Sequence, residues 1–323
     1  YRIAHTIHQV TYQQAQIEIK RNVTKLFYYL LAEKRNIELQ QRNLELAQMQ
    51  YAKVLANFES GYVSEIDLLS AQLGYEQLIP SFHQSMDSYE SQLLAFKALI
   101  GLEFESEVAL TGSLPNWKLH QSLDSLKEKI PYTLSMQLFD LNATSIETGR
   151  KAQAKYEFTP TLMISGSYSI STDTLYMNPV TPGAGSWGDA VQYSVSLIIP
   201  LDKHIPGSSA KVALEKMDNS LRKLQLERQQ TSKALEQSII NKVRSLETIQ
   251  RQMNLAQSNL DLARRVYEMH VIQYDAGYTD SLSVEQAQQD LFSAEQHLLF
   301  LDYQYASTVI DLAYDLQLDI SHL

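Results

Sequence analysis

From Ser208 to Asp275 the chain runs without a single glycine or proline. With no turn residue to interrupt it, this stretch is expected to be one helix, about 100 Å long at ~1.5 Å per residue. Its apolar residues advance in steps of three and four: Ile239, Val243, Leu246, Ile249, Met253, Ala256, Leu260, Ala263, Tyr267, Val271, Tyr274. That is the seam of a coiled coil. The same stepping recurs from Ala287 to Leu312 and from Val23 to Phe58. Few compact domains accommodate such helices, so the fold class is mainly α, built from long coiled-coil hairpins.

The composition agrees. Of 323 residues 44% are hydrophobic, enough for a folded chain, and only 11 are Gly and 8 Pro, so turns are few. The net charge of −10, with no basic run, argues against nucleic-acid binding. The absence of cysteine removes disulfides, thiolate nucleophiles and cysteine-held metals. No run approaches the ~18 apolar residues of a membrane-spanning helix. His5 and His8 lie one helical turn apart but lack a third ligand nearby. There is no phosphate loop, triad or acid–base pair, so neither an enzyme nor a cofactor is expected. The opening Tyr1-Arg2-Ile3-Ala4 starts without Met inside a helical pattern, which predicts that the natural N-terminus lies upstream.

Two of the long patterns end alike, in Phe58-Glu59-Ser60-Gly61-Tyr62 and in Tyr274-Asp275-Ala276-Gly277-Tyr278. Gly at this place suits the left-handed residue that closes a helix, and Ser64 or Asp280 is suited to cap the next one. Each half is therefore a helical hairpin with a tight tip. Superposing Gly61 on Gly277, an offset of 277 − 61 = 216, brings Asn43-Leu44-Glu45-Leu46-Ala47 onto Asn259-Leu260-Asp261-Leu262-Ala263. It also brings Tyr51 onto Tyr267, Ala71-Gln72 onto Ala287-Gln288 and Tyr89 onto Tyr305. Matching polar residues, not only apolar seams, mark an internal duplication. Within the second helix Gly74 and Pro80 predict a bend.

Between the hairpins the period drops to two. Leu162, Ile164, Gly166, Tyr168 and Ile170 share one face of a strand, with Ser165, Ser167, Ser169 and Ser171 opposite. A second strand sets Val191, Tyr193, Val195, Leu197 and Ile199 against Gln192, Ser194 and Ser196, stopping at Pro200. Each is near the ~9 to 11 residues of a tilted strand crossing a bilayer, apolar outside and polar inside. Leu162, Ile164, Tyr168, Val195 and Leu197 are the expected lipid-facing residues. The segment holding Asn178, Pro179, Pro182, Gly183, Gly185, Trp187 and Gly188 is expected to be the loop between them. Two strands alone leave open edges in lipid, which calls for partner strands. The expected organisation is a helical hairpin over residues 1–101 with its tip at 58–66, a connecting segment over 102–158, a transmembrane β-hairpin over 159–201, and a second helical hairpin over 202–323 with its tip at 274–282.

This arrangement resembles the TolC family of outer-membrane efflux and secretion channels. The residues that carry the resemblance are Phe58, Gly61, Asp67 and Ala71, then Leu99-Ile100-Gly101 and Phe158-Thr159-Pro160. Ile198-Ile199-Pro200-Leu201, Tyr274, Gly277 and Ala287 complete it. The resemblance implies a homotrimer whose strands close a β-barrel in outer-membrane lipid and whose helices form a periplasmic tunnel. In the family each repeat has its own β-hairpin; here the first repeat lacks one. The chain thus looks like a member without its N-terminal part. The implied function is a passive exit duct, joined through a periplasmic adaptor to an inner-membrane pump of the RND, ABC or MFS type. The alternative is a coiled-coil scaffold or adaptor of the cell envelope without a pore.

The resemblance also implies a gate at the tips. Asp67 matches a carboxylate that bonds across to the second tip, and Tyr274 an aromatic partner. Thr279 stands where some members carry a basic residue, and Ser283 and Gln286 where others carry an acidic ring around the aperture. That salt bridge and that ring are therefore not expected, although Asp280 and Glu285 lie nearby. Gly61, Tyr62, Val63, Gly277, Tyr278 and Thr279 are the implied adaptor-docking residues. The residues themselves leave other readings open: Asp67 suits a helix start, Tyr274 lies on the apolar seam, and the glycines suit turns.

Overall fold

The computed structural model describes residues 2–172 and 187–318. Its helices are α1 (Arg2–Glu59), α2 (Glu65–Ile100), α3 (Leu123–Lys127), α4 (Leu134–Phe158), α5 (Ser209–Asp275) and α6 (Ser281–Leu316). The strands β1 (Thr161–Thr172) and β2 (Trp187–Ile198) stand between α4 and α5, and 3-10 turns lie at Ile130–Tyr132 and Leu201–His204. The chain forms two compact units: one comprises His8–Gln137 and Thr231–Leu323, the other Tyr1–Ile7 and Leu138–Gln230.

The larger unit is helical. The expected seam of α5 is its core, with Ile239, Leu246 and Ile249 almost wholly buried against Leu301, Val309 and Leu312 of α6 and Leu126 of α3. A fully buried leucine or isoleucine contributes about 1.5–3 kcal/mol relative to an exposed one. A second cluster joins Leu30 and Leu31 of α1 to Phe96 of α2 and to Leu110.

On α1 the buried positions depart from the expected stripe. Leu30 is buried as the stepping from Val23 to Phe58 expects, but so are Leu39, Asn43 and Val54 outside it, whereas Leu26, Ile37, Leu44 and Tyr51, which belong to it, are only partly so. The reason is that α1 serves two neighbours. Towards α2 it makes the Tyr51–Tyr75 stack, and its Gln40 donates to Ser85. Towards α6 it makes Lys25–Asp311, and Asn36 accepts from Gln296. Helix α2 continues through Pro80.

In the smaller unit β1 and β2 pair antiparallel over their whole length. Leu162 faces Leu197, Ile164 faces Val195, Gly166 faces Tyr193 and Tyr168 faces Val191, which puts the apolar series of both strands on one side. Ser165 and Ser194 hydrogen-bond at 2.7 Å on the other. Gly166 leaves room for the Tyr193 ring, since a Cβ there would sit 3.3 Å from its atoms. The ladder corrects the expected loop boundary: Trp187 and Gly188 belong to β2, and Ile199 lies outside it. Pairing with Ser169–Thr172 extends the strand beyond its alternating stretch. Asn178, Pro179, Pro182, Gly183 and Gly185 lie outside the described residues. In the same unit Arg150 of α4 pairs with Asp218 of α5 and Arg228 of α5 with Asp140 of α4.

Candidate functional site

The two helical tips are built by the same backbone hydrogen bonds. At the first, Gly61 N–H donates to Phe58 O at 2.9 Å and Tyr62 N–H to Asn57 O at 2.8 Å. At the second, Gly277 N–H donates to Tyr274 O at 3.0 Å and Tyr278 N–H to Gln273 O at 2.8 Å. Both are Schellman closures, with the glycines at φ 76° and 77°, a region that side chains with a Cβ avoid.

The helices that leave the tips are capped by related means. Ser64 caps α2 and accepts from Asp67 N–H at 3.3 Å, while the Asp67 carboxylate accepts from Ser64 N–H at 3.0 Å and from its hydroxyl at 2.7 Å. This is a capping box. Asp280 caps α6, accepting from Ser283 N–H at 2.9 Å and its hydroxyl at 2.6 Å. The Ser283 hydroxyl, its backbone N–H and the more distant His270 hold the Asp280 carboxyl below its usual range.

An open depression between the tips is lined by Gly61, Tyr62, Val63, Asp67, Tyr274, Gly277, Tyr278 and Thr279. It therefore gathers the expected docking residues and three of the expected gate residues. Ser283 and Gln286 are not among its walls: Ser283 is engaged with Asp280, and Gln286 donates to Asp290 at 3.1 Å. Tyr62 and Tyr278 are the most exposed large residues here, at 82% and 86%. Asp67 binds Ser64, and Tyr274 finds its partner elsewhere. The Tyr274 hydroxyl accepts from Asn57 Nδ2 at 3.2 Å, the Lys53 ammonium lies 5.1 Å from the centre of its ring, and Lys53 also pairs with Asp275.

Lys53, Asn57 and Asp275 were not expected from sequence. The duplication held the only signal: at an offset of 216, Lys53 and Asn57 fall on Met269 and Gln273, so the two tips differ there.

One layer in from the tips lies a pocket between α1, α2 and α6, in which Asn43, Gln50, Ser281, Glu285 and Gln288 stand among Ala47, Ala71, Gly74, Tyr75 and Leu78. Gln288 Nε2 donates to both the side chain and the backbone carbonyl of buried Asn43, at 2.8 and 3.0 Å. Burial raises the Glu285 carboxyl above its usual range. The bare Cα of Gly74 makes room for that carboxylate, which a Cβ would strike. Gln50 Nε2 is buried without a partner.

The expected lipid-facing residues are all exposed: Leu162 62%, Ile164 72%, Tyr168 61%, Val195 71% and Leu197 63%. No helix among the described residues is long and apolar enough to cross a membrane. Nor do three or more His, Cys, Asp or Glu side chains gather there as a metal site would need.

No curated sequence matches the chain significantly. Solved structures do share its fold. A membrane protein from Pseudomonas aeruginosa superposes with a TM-score of 0.80 at 15% identity, covering 97% of this chain and 71% of that one. The CmeC outer membrane channel of Campylobacter jejuni gives 0.75 at 16% identity, with 99% and 68% covered. The open-state MtrE outer membrane channel of Neisseria gonorrhoeae gives 0.77 at 15% identity, with 98% and 69% covered. The profile of the outer membrane efflux proteins matches residues 148–314, from the middle of α4 to near the end of α6. On the strength of that match, which takes in both strands, all of α5 and nearly all of α6, the chain belongs to the outer membrane efflux protein family.

Proposed function

We propose that the protein is a subunit of an outer-membrane channel, a passive exit duct that works as a homotrimer. A periplasmic adaptor docks at the tips, through Gly61, Tyr62, Val63, Gly277, Tyr278 and Thr279, and links the duct to an inner-membrane pump of the RND, ABC or MFS type. The adaptor reading rests on the exposed Tyr62 and Tyr278, which offer flat apolar surface on rigid Schellman turns.

The observation that carries the proposal is the strand pair. One side presents Leu162, Ile164, Tyr168, Val195 and Leu197, all exposed, and the two strands leave their outer edges without partners among the described residues. Water does not favour such a face, and lipid does not tolerate such edges. Lateral addition of strands from further copies answers both demands. A scaffold without a pore has no use for a lipid-facing hairpin, so the same observation disfavours it.

Asp67 and Tyr274 act as gate residues in this proposal, with Thr279 beside them. Ser283 and Gln286 leave the aperture without an acidic ring, so selectivity for cations is weak there. The test is extraction. The intact protein leaves the outer-membrane fraction only with detergent and then has the mass of three chains; a stable, water-soluble monomer overturns the proposal.

A further inference from the structure

Towards one end the apolar side of the β-hairpin meets the charge of Asp189, with Trp187 beyond it on the same face, and at the other it runs on through Ile199 to the 3-10 turn. Asp189 shares the face of Val191, Val195 and Leu197, opposite Ile170. An ionised carboxylate belongs at the lipid headgroups, so it sets one limit of the apolar band. From Val191 to Ile199 there are eight residue steps. At ~3.3 Å per step and a tilt of ~40° they span only ~20 Å of membrane height, against the ~25 Å band of an outer-membrane barrel.

The band cannot make up the difference past Asp189 without immersing its charge. It can do so at the other end, where the first charges, Asp202 and Lys203, come only after Leu201. Beyond Ile199, which is 52% exposed, the odd-numbered apolar series continues to Leu201, 72% exposed, and the 3-10 turn leads to Ile205, 60% exposed. Tyr156, at the end of α4, is 79% exposed and lies beneath the Lys203 ammonium, 5.9 Å from its ring centre. An amphipathic tyrosine beside a lysine is the pairing found at the boundary between acyl chains and headgroups.

The geometry points to a lipid contact that reaches past Pro200: Leu201 and Ile205 lie in the acyl region of the inner leaflet, and Tyr156 and Lys203 at its headgroup level. This rests on the outer-membrane reading above. The membrane boundary then falls at the 3-10 turn, and not at the ends of the strands.

The test uses the intact protein with Trp117→Phe and Trp187→Phe, reconstituted in phosphatidylcholine vesicles brominated on the acyl chains. Single tryptophans replace Leu197, Ser194, Leu201 or Ile205 in turn. Leu201→Trp loses most of its fluorescence to the bromines, as Leu197→Trp does, and more strongly with bromine near the headgroup end of the chain than near the middle. Ser194→Trp, on the polar side, is little affected. Ile205→Trp provides a second position should Leu201→Trp not assemble. Quenching of Leu197→Trp alone, with Leu201→Trp and Ile205→Trp quenched by aqueous acrylamide, puts the turn in water and overturns the inference while leaving the channel reading intact. Resistance of both to bromine and acrylamide means that protein covers them, which overturns it equally. If Leu197→Trp itself escapes the bromines, the outer-membrane reading fails first.

Discussion

Asp67 and Ser283 stand at the same step past their tip glycines and play opposite parts in the same bond. Asp67 is the acceptor for the capping serine Ser64, and Ser283 is the donor to the capping aspartate Asp280. The duplicated tips have exchanged their acid and their hydroxyl while keeping the geometry. The double exchange Ser64→Asp with Asp67→Ser is therefore expected to leave thermal stability close to that of the natural protein. Ser64→Ala alone is expected to cost about 1 kcal/mol, and differential scanning calorimetry on the series measures both.

Gate function asks more of Asp67 than a cap does. If its carboxylate also holds neighbouring hairpins together, Asp67→Ala loses a bond to a charged group worth ~1.5–3 kcal/mol. The closed state then loosens and conductance rises, whereas Asp67→Asn restores most of the capping stability without restoring closure. Tyr274→Phe removes the hydroxyl that accepts from Asn57 and keeps the ring under Lys53. It is expected to act in the same direction but more weakly. Conductance unchanged in both variants leaves Asp67 as a helix cap.

Two carboxylates near the second tip give opposite pH dependences. Asp280 titrates below its usual 3.8 because Ser283 donates to its ionised form. Its stabilising effect is present above 3.8 and lost as the pH falls through its lowered value. Glu285 titrates above its usual 4.5 because burial disfavours its charge. The fold is thus weakened as the pH rises through that raised value, and stays weakened at neutrality. Glu285→Gln is expected to raise the melting temperature at pH 7 and to make no difference well below pH 4.5. Asp280→Asn is expected to lower it at pH 7, with the deficit shrinking in acid.

The strand faces are tested by charge. Leu197→Arg places a guanidinium on the apolar side opposite Leu162 and is expected to cost ~2–4 kcal/mol near the bilayer midplane. Ser196→Arg, opposite Met163 on the other side, is expected to assemble far better. Heat-resistant oligomer in outer membranes reports the difference, and equal losses contradict the assigned faces.

The helices, the tips and the two sides of the hairpin were legible because each depends on local chemistry. Steps of three and four make a seam, a glycine closes a helix, and alternation sets two faces. Contacts between distant stretches were not. Asn43 and Asn259 look equivalent in the duplication, yet Asn43 is buried and holds Gln288 while Asn259 is exposed. What separates them is that α1 packs against both α2 and α6, a tertiary fact with no local signature. Tyr274 was recognisable as a seam residue, but its bond to Asn57 joins positions 217 residues apart. The start of β2 was misplaced for a similar reason: Trp187–Ala190 follows no strict alternation and is a strand because β1 pairs with it.

The central claim, that these chains enclose a duct through the outer membrane, is tested most directly by planar-bilayer recording on the detergent-extracted, intact protein. The account predicts discrete, uniform current steps that are small for the natural protein and larger for Asp67→Ala. A bilayer that stays silent with both proteins, although both insert as oligomers, contradicts it.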